Sequence, residues 1–320
     1  MLRASLVILS LTLLFINSVN AFTYNDFDIS KSIVPRTEIM RGGPPRDAIP
    51  ALTDPKFVPI DKVDWLKKDS RILGVYLNGI AKAYPLGIMN WHEIVNDTFN
   101  KQHVLITYCP LCFSGMAFDP VINGKRHIFG VSGLLYNSDV LLYDQETDSL
   151  WSQIMSKAIS GQYVNQVLQK LPVENTTMQE WKEKYPDTLV LSRDTGHARN
   201  YTLDPYIEYR NSKETMFPVK FRAHGYHPKE LVLGITIDNQ SKAYPLSELS
   251  RTDGYINDNI NGKDLYISYN DNDHSGTILD KNCQLLPATT LFWFAWYAFH
   301  PDTEIFKAEK FDQPQTNTNC

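Results

Sequence analysis

The chain has 320 residues, of which 43% are hydrophobic and 21% are charged, and its formal net charge is −5. These values are ordinary for a globular protein of one or two domains that buries a full core. No block of Lys and Arg is present, which argues against nucleic acid as a partner.

The first 21 residues predict a secretory signal peptide. Arg3 supplies a positive start, residues 6–16 form an apolar stretch, and Val19-Asn20-Ala21 is a small-residue cleavage site. The apolar stretch is short for a membrane span of about 20 residues. We therefore expect cleavage after Ala21, secretion to the extracellular space, and no membrane span in the mature chain.

Residues 22–48 are predicted to form an extended N-terminal arm. The segment is polar and rich in proline, with Gly42-Gly43 in its middle, and it cannot form a core of its own. We expect it to lie on the body of the protein, to remain mobile, or to bind a neighbouring molecule. Residues 308–320 are expected to form a flexible C-terminal tail.

The body, residues 49–307, is predicted to be mainly β, a β-rich α+β fold with few short helices. Apolar runs flank three Asn-Gly pairs that predict two-residue hairpin turns: Asn78-Gly79, Asn123-Gly124 and Asn261-Gly262. Thr177 opens a capping box for a helix that ends near Tyr185. Residues 61–68 and 85–93 predict two further short helices.

A sequence repeat relates two parts of the body. The pentapeptide Lys-Ala-Tyr-Pro-Leu at residues 82–86 returns unchanged at residues 242–246. This spacing is too long for a solenoid repeat. We therefore predict an internal duplication that gives two related β half-domains, residues 49–172 and 173–307.

The two halves differ where chemistry could reside. Cys109-Pro110-Leu111-Cys112 of the first half is replaced by Asn270-Asp271-Asn272-Asp273 in the second. A CxxC motif can form a disulfide, act as a dithiol redox couple, or supply half of a metal site. Because the chain has no second CxxC, a metal ion at Cys109 and Cys112 is not favoured, and we predict no cofactor.

His92 and Glu93 are general acid–base residue types that the second half lacks as well. Their joint loss with the cysteines predicts one redox site formed by Cys109, Cys112, His92 and Glu93. The alternative is a half-buried histidine beside a surface carboxylate. The polar stretches 131–139 and 144–153 could line a pocket next to the cysteines, or could form turns. Whether the chain is an enzyme stays open.

Secretion would also determine whether the cysteines form disulfides and whether asparagines carry glycans. An oxidising compartment favours disulfides, and the expected pairs are Cys109–Cys112 or Cys283–Cys320, although four cysteines permit three full pairings. N-linked glycans are expected on four sequons, at Asn96, Asn175, Asn200 and Asn239.

Several motifs together resemble the DUF3179 family. They are the stretches 81–86, 91–97, 107–112, 131–135, 148–153 and 204–206, and the similarity runs from about Ile49 to Phe306. The function of the family is undefined, so the resemblance implies no reaction. Some relatives are predicted to carry selenocysteine in the CxxC-like motif, which by analogy favours a redox role for Cys109 or Cys112.

Two main hypotheses follow. The chain could be a secreted, N-glycosylated protein whose CxxC is a disulfide or a thiol-redox couple. It could instead be a structural subunit of an extracellular assembly or filament, in which residues 22–55 add a strand to the sheet edge of another copy. A carbohydrate- or metal-binding module is a third possibility.

Overall fold

The computed structural model describes residues 23–308, so the predicted signal peptide and the chain from residue 309 lie outside it. The protein is mainly β, as predicted: 42% of the described residues lie in strands and 13% in helices. The sheets form a propeller-like ring.

The strands are short and numerous. In chain order they are β1 Thr23–Tyr24, β2 Phe27–Asp28, β3 Ile39–Arg41, β4 Leu52–Thr53, β5 Phe57–Pro59, β6 Arg71–Leu77, β7 Ile80–Pro85, β8 Ile94–Phe99, β9 Gln102–Cys109, β10 Ser114–Asp119, β11 Val121–Ile122, β12 Lys125–Arg126, β13 Phe129–Tyr136, β14 Asp139–Asp144, β15 Leu150–Ser152, β16 Lys157–Ser160, β17 Gln169–Leu171, β18 Glu174–Thr177, β19 Leu189–Leu191, β20 Leu231–Ile237, β21 Gln240–Pro245, β22 Tyr255–Ile260, β23 Lys263–Asn270, β24 Ser275–Asp280, β25 Thr289–Phe292 and β26 Glu304–Ile305.

The helices are few, as expected. Those in residues 23–308 are α1 Leu86–His92, α2 Met178–Lys184, α3 Ile207–Asn211, α4 Leu246–Leu249 and α5 Trp293–Phe299, with single 3₁₀ turns at Arg36–Glu38 and Ile60–Lys62. The helix predicted at residues 61–68 is wrong. Only the 3₁₀ turn at Ile60–Lys62 forms there, and Val63, Trp65 and Leu66 after it pack against the hydrophobic cluster that contains Trp181.

Five sheets carry most of the strands. Sheet I has the order β18-β6-β7-β19-β5, sheet II β17-β10-β9-β8-β4, sheet III β16-β15-β14-β13-β3, sheet IV β25-β20-β21-β26 and sheet V β22-β23-β24. The three Asn-Gly turns join β6 to β7, β11 to β12 and β22 to β23, which confirms the predicted hairpins. Each turn has positive φ at both residues, the conformation that favours asparagine and glycine.

Four strands of sheet I repeat the topology of sheet IV. In each, an antiparallel hairpin is flanked by one antiparallel strand (β18 or β25) and one parallel strand (β19 or β26). Trp181 of α2 and Trp296 of α5 pack so closely on Gly74 and Gly234 that a Cβ at either glycine would lie 2.4 Å from the ring. β18 and β19 follow residue 172 in the chain, yet they complete the sheet of the first hairpin. A duplication as the origin of this likeness stays a prediction.

The repeated pentapeptide makes the same polar contact in both copies. Lys82 Nζ lies 2.8 Å from the Asp97 carboxylate, and the Tyr84 hydroxyl donates to it at 2.6 Å. In the second copy, Lys242 Nζ lies 2.6 Å from the carboxylate of Asp258. Each lysine thus joins its hairpin to the neighbouring sheet, which gives the repeat a structural role.

Residues 23–48 lie on the body. β3 pairs with β13 at the edge of sheet III. Phe27 and Ile29 are fully buried in a cluster with side chains of that sheet, among them Leu134. This segment therefore belongs to the hydrophobic core. Within residues 23–308 no helix is both long and apolar enough to cross a bilayer.

Candidate functional site

The cysteine motif is the connection between two strands of sheet II. β9 ends at Cys109, β10 begins at Ser114, and these two residues pair in the ladder. The amide of Cys112 donates to the carbonyl of Cys109 at 3.2 Å, and Phe113 turns the chain with a φ of 57°. This tight turn brings the two sulfurs close together, which a longer loop would not do.

Both cysteines are free thiols and are buried. Their Sγ atoms lie 3.9 and 3.3 Å from the carbonyl oxygen of Ser138. The Cys109–Cys112 disulfide considered above is therefore not formed in this structure. Cys283 is disulfide-bonded, and its predicted partner, Cys320, lies outside the described residues.

Asp139 is the third member of the site. Asn137 and Ser138, with φ of 52° and 67°, form the turn between β13 and β14 and place Asp139 against the sulfurs. One carboxylate oxygen and the two sulfurs lie within 4.8 Å of one another. Oδ2 accepts a hydrogen bond from the amide of Ile154 at 3.0 Å, whereas Oδ1 finds no partner among the described residues. Burial raises the pKa of Asp139 to about 8.

Glu93 also belongs to this buried group. It follows α1 with a φ of 56°, and its carbonyl accepts the amide of Tyr108 at 2.7 Å. Burial, and after it the charge of Asp139, raises the pKa of Glu93 to about 8. Glu93 and Cys109 line one small cavity of about 80 Å³. Two carboxyl groups that can exchange protons near neutral pH thus accompany the thiols.

His92 is held elsewhere, although it is next to Glu93 in sequence. Its Nδ1 lies 2.7 Å from the carbonyl of Pro50, and its Nε2 lies 2.7 Å from the hydroxyl of Tyr201. Burial lowers the pKa of His92 to about 4. The His92 ring is neutral, and both of its nitrogens are engaged with Pro50 and Tyr201, so it holds these two parts of the chain in place. His92 is therefore not a proton acceptor at the sulfurs.

The two thiols are not equivalent. Burial raises the pKa of both, but the hydrogen bond between them lowers the pKa of Cys109 and raises that of Cys112. Cys109 lines the small cavity, while Cys112 does not. Cys109 is therefore the thiol that ionises more readily and the one that borders a cavity.

A remote segment covers the cysteines. Tyr206 lines the small cavity, and the hydroxyl of Tyr209 is buried without a partner among residues 23–308. Lys229 Nζ donates to three main-chain carbonyls, the nearest that of Glu214 at 2.9 Å. Burial lowers the pKa of Lys229, and the negative charge of an ionised Cys112 offsets part of that lowering. A cation is thus near enough to favour a thiolate.

In the second half, the turn that corresponds to the cysteine motif, residues 270–273, has a structural role. There Asp273 accepts hydrogen bonds from the hydroxyls of Thr176 and Ser275, at 2.6 and 2.7 Å. In the first half the same link between sheets is a main-chain bond from the amide of Phe292 to the carbonyl of Cys112, at 2.9 Å. The thiols of the first half are therefore not needed to hold the turn in place.

The sequence predicts Cys109, Cys112 and Glu93, which the structure brings together, and His92, which it does not. It does not predict Asp139, Tyr206 or Lys229 as site residues. Asp139 had a signal, because it ends the polar stretch 131–139, and so did Tyr206, which ends the motif at residues 204–206. Lys229 lies in a distant segment that has no motif.

Between residues 23 and 308, two groups of side chains have donor atoms close enough to share a metal ion. Cys109, Cys112 and Asp139 form one, and His127, Asp144 and Glu146 form the other. In the second group, His127 Nδ1 lies 3.5 and 3.2 Å from oxygens of the two carboxylates, an arrangement that an ion pair also explains. The first group offers three donors where structural zinc takes four. Metal binding therefore remains the less favoured alternative.

The four sequons differ in accessibility. Asn96 is buried, and its Nδ2 donates to the carbonyl of Phe129 at 2.9 Å. Asn175 lies in β18 and is also buried. Asn200 and Asn239 are exposed. The latter two can accept a glycan without unfolding of the surrounding structure.

The comparisons with known proteins give one match. The model of a family described as "Protein of unknown function (DUF3179)" matches residues 46–303. Comparison with the curated proteins and with the solved structures finds no significant match.

Proposed function

The chain belongs to the DUF3179 family, a family described as being of unknown function, and from that premise we propose that it is a secreted thiol–disulfide redox protein. Cys109 and Cys112 are the redox couple. One observation carries the proposal: two free thiols lie side by side in a tight turn, one of them faces a cavity, and a buried carboxyl group adjoins both.

The reaction is a thiol–disulfide exchange with a disulfide of a protein or a small molecule. Cys109 loses its proton, and its sulfur attacks one sulfur of that disulfide. The disulfide bond of the reactant breaks, and the leaving thiolate takes up a proton. Cys112 then loses its proton and attacks Cys109 in the mixed disulfide, which forms the Cys109–Cys112 bond and releases the second thiol. Two electrons and two protons pass to the reactant.

Asp139 is the proton acceptor for Cys112. A carboxylate oxygen of Asp139 lies within 4.8 Å of the Cys112 sulfur, and the raised pKa of Asp139 lets it take and return a proton near neutral pH. Glu93, which lines the cavity with Cys109, serves the attacking sulfur in the same way. Lys229 favours the charged form of the Cys112 sulfur. This assignment replaces His92 with Asp139 as the second proton-transfer group.

Secretion and glycosylation rest on the sequence. The signal-like first 21 residues support export to an oxidising space, where a dithiol couple can be reoxidised. Asn200 and Asn239 are exposed and support modification there. The alternative, a structural subunit joined through residues 22–55, requires the arm to pair with another copy, whereas β3 already pairs within its own chain.

The redox equilibrium of the cysteine pair tests the proposal. The full-length mature protein is equilibrated in glutathione buffers, alkylated and examined by mass spectrometry. We expect reversible formation of the Cys109–Cys112 disulfide with a potential above about −300 mV, the range of exchangeable pairs. The variant Cys112→Ser should trap a mixed disulfide at Cys109, and Cys109→Ser should not trap one at Cys112. A pair that stays reduced in excess oxidised glutathione, or a lower potential, would overturn the proposal.

A further inference from the structure

A second, larger cavity adjoins the cysteine motif. Its volume is about 720 Å³, and it is lined by Tyr108 and Phe113, the residues that flank the motif, but by neither cysteine. Cavities of roughly 300–1,000 Å³ commonly hold small molecules. Its walls combine apolar and aromatic side chains, including Trp65, Leu86 and Ile88, with charged and polar side chains.

The Tyr108 hydroxyl is unsatisfied in this cavity. It is fully buried and has no hydrogen-bond partner in the described part of the chain. Tyr269, at the matching place in β23, donates to Asp271 at 3.1 Å and contacts His274 at 2.9 Å. A buried hydroxyl without a partner is costly. Unlike the equivalent Tyr269, Tyr108 thus has a hydroxyl that is available to a ligand in this cavity.

A second unsatisfied group lines the same cavity. Asn90 is buried, and its Nδ2 donates to the Asp204 carboxylate at 3.3 Å. Its Oδ1 accepts no hydrogen bond from any residue between 23 and 308. The cavity thus offers one free donor, at Tyr108, and one free acceptor, at Asn90, from two different elements of the fold.

The charge of the cavity is positive. Its four cationic side chains exceed its two carboxylates, and these six residues are Lys67, Arg71, Arg193, Arg210, Asp69 and Asp204. Arg210 pairs with Asp204. Among nearby charges, Arg210 acts most strongly on the Tyr108 hydroxyl. Arg71 donates to neutral oxygens, the side chain of Asn175 at 2.6 Å and the main chain of Asp273 at 2.5 Å. An anion is therefore the complementary ligand.

We propose that this cavity binds a small organic anion with an apolar body. The anionic group accepts a hydrogen bond from the Tyr108 hydroxyl in the field of Arg210, a donor group reaches Asn90 Oδ1, and the body contacts Trp65 and Leu86. The proposal goes beyond the redox function and does not depend on it, because neither cysteine lines the cavity.

An amphipathic dye pair tests the proposal on the folded mature protein. The anionic probe is 8-anilinonaphthalene-1-sulfonate, and the neutral probe is N-phenyl-1-naphthylamine, each followed by fluorescence and calorimetry. We expect one saturable site for the anionic dye, with weaker binding of the neutral dye. Tyr108→Phe should lower the affinity for the anionic dye about tenfold, the loss expected for a hydrogen bond to a charged group. Equal affinity for the two dyes would overturn the proposal.

The matched control is Tyr269→Phe, which removes the equivalent hydroxyl of the second half and should leave dye affinity unchanged. An equal loss in both variants would also overturn the proposal. If Tyr108→Phe does not fold, Arg210→Gln replaces it and should weaken the anionic dye while sparing the neutral one. The double variant Cys109→Ser/Cys112→Ser should bind the dye normally, so failure of the redox proposal remains distinguishable from failure of this one.

Discussion

Glu93 and Gly254 occupy the same place in the two halves of the protein. The carbonyl of Glu93 accepts the amide of Tyr108 at 2.7 Å, and the carbonyl of Gly254 accepts the amide of Tyr269 at the same distance. Both residues have positive φ, 56° for Glu93 and 87° for Gly254. Glycine adopts this conformation freely, whereas glutamate does so under strain. The first half thus keeps a carboxylate at a position better suited to glycine.

We expect Glu93→Gly to stabilise the fold. The substitution relieves backbone strain and removes a buried carboxyl group, and relief of strain of this kind is worth about 1 kcal/mol or more. Urea denaturation at pH 7 measures the free energy of unfolding. Glu93→Ala is the control, because it removes the same buried side chain but keeps the strained backbone. A glycine variant less stable than the alanine variant would contradict the strain at Glu93.

The stability of the protein should fall as the pH rises from about 6.5 to 8, above the range in which His92, whose pKa is lowered to about 4, contributes with the opposite sign. The ordinary pKa of Asp139 is 3.8 and its value in the folded protein is about 8, so the folded state binds this proton more tightly. The stability that Asp139 contributes is fully present when the pH is below the pKa of the unfolded state. It is lost as the pH approaches the pKa of the folded state, by at most about 1.4 kcal/mol per pH unit.

Asp139→Asn should flatten this dependence, which thermal unfolding across the pH range would detect. Glu93 contributes with the same sign, because its pKa is also raised, from 4.5 to about 8. A partial slope should therefore remain in the Asp139 variant, and the double variant with Glu93→Gln should lose it. An unchanged slope in the double variant would exclude both carboxyl groups as its source.

The two thiols should react in a fixed order. In the reduced native protein, iodoacetamide should modify Cys109 before Cys112 as the pH is raised, because Cys109 reaches the small cavity and has the less elevated pKa. Peptide mapping by mass spectrometry gives the order. The variant Cys109→Ser should leave Cys112 protected until the protein unfolds. Modification of Cys112 first would reverse the assigned roles.

The two lysine–aspartate contacts should differ in strength. Lys82→Met leaves the Asp97 carboxylate buried without its cation and should destabilise the fold by about 3–5 kcal/mol. Lys242→Met is the matched control. Its partner Asp258 is more exposed, 17% against 5% for the Asp97 side chain, so water screens the charge and the loss should be smaller. Equal losses, compared by denaturation in urea, would contradict this account.

Much of the fold could be predicted because its signals are local. Asn78-Gly79 and Asn261-Gly262 each specify a turn whose conformation follows from two neighbouring residues. Thr177 caps α2 as its capping box predicted. By contrast, β19 pairs in parallel with β7, and no local pattern encodes a contact between residues so far apart in the chain.

The same distinction applies to the site. Cys109 and Cys112 share a motif, so the sequence predicts them together. Asp139 lies beside the sulfurs only because the hairpin of β13 and β14 packs against sheet II. Lys229 is held near them by hydrogen bonds to main-chain carbonyls of a long irregular segment. His92 is predicted as a site residue because it is next to Glu93 in the sequence. The strained backbone at Glu93 instead places the two side chains in different surroundings.

The pairing of β3 with β13 has a practical consequence for the choice of expression boundaries. The family match starts at residue 46, but Phe27, Ile29 and Ile39 fill the hydrophobic cluster beneath sheet III. A protein trimmed to the matched region would expose apolar surface and leave the backbone of β13 without a neighbour along one edge, which favours aggregation. An independently folding unit should thus begin before Phe27, whereas the region matched by the family begins at residue 46.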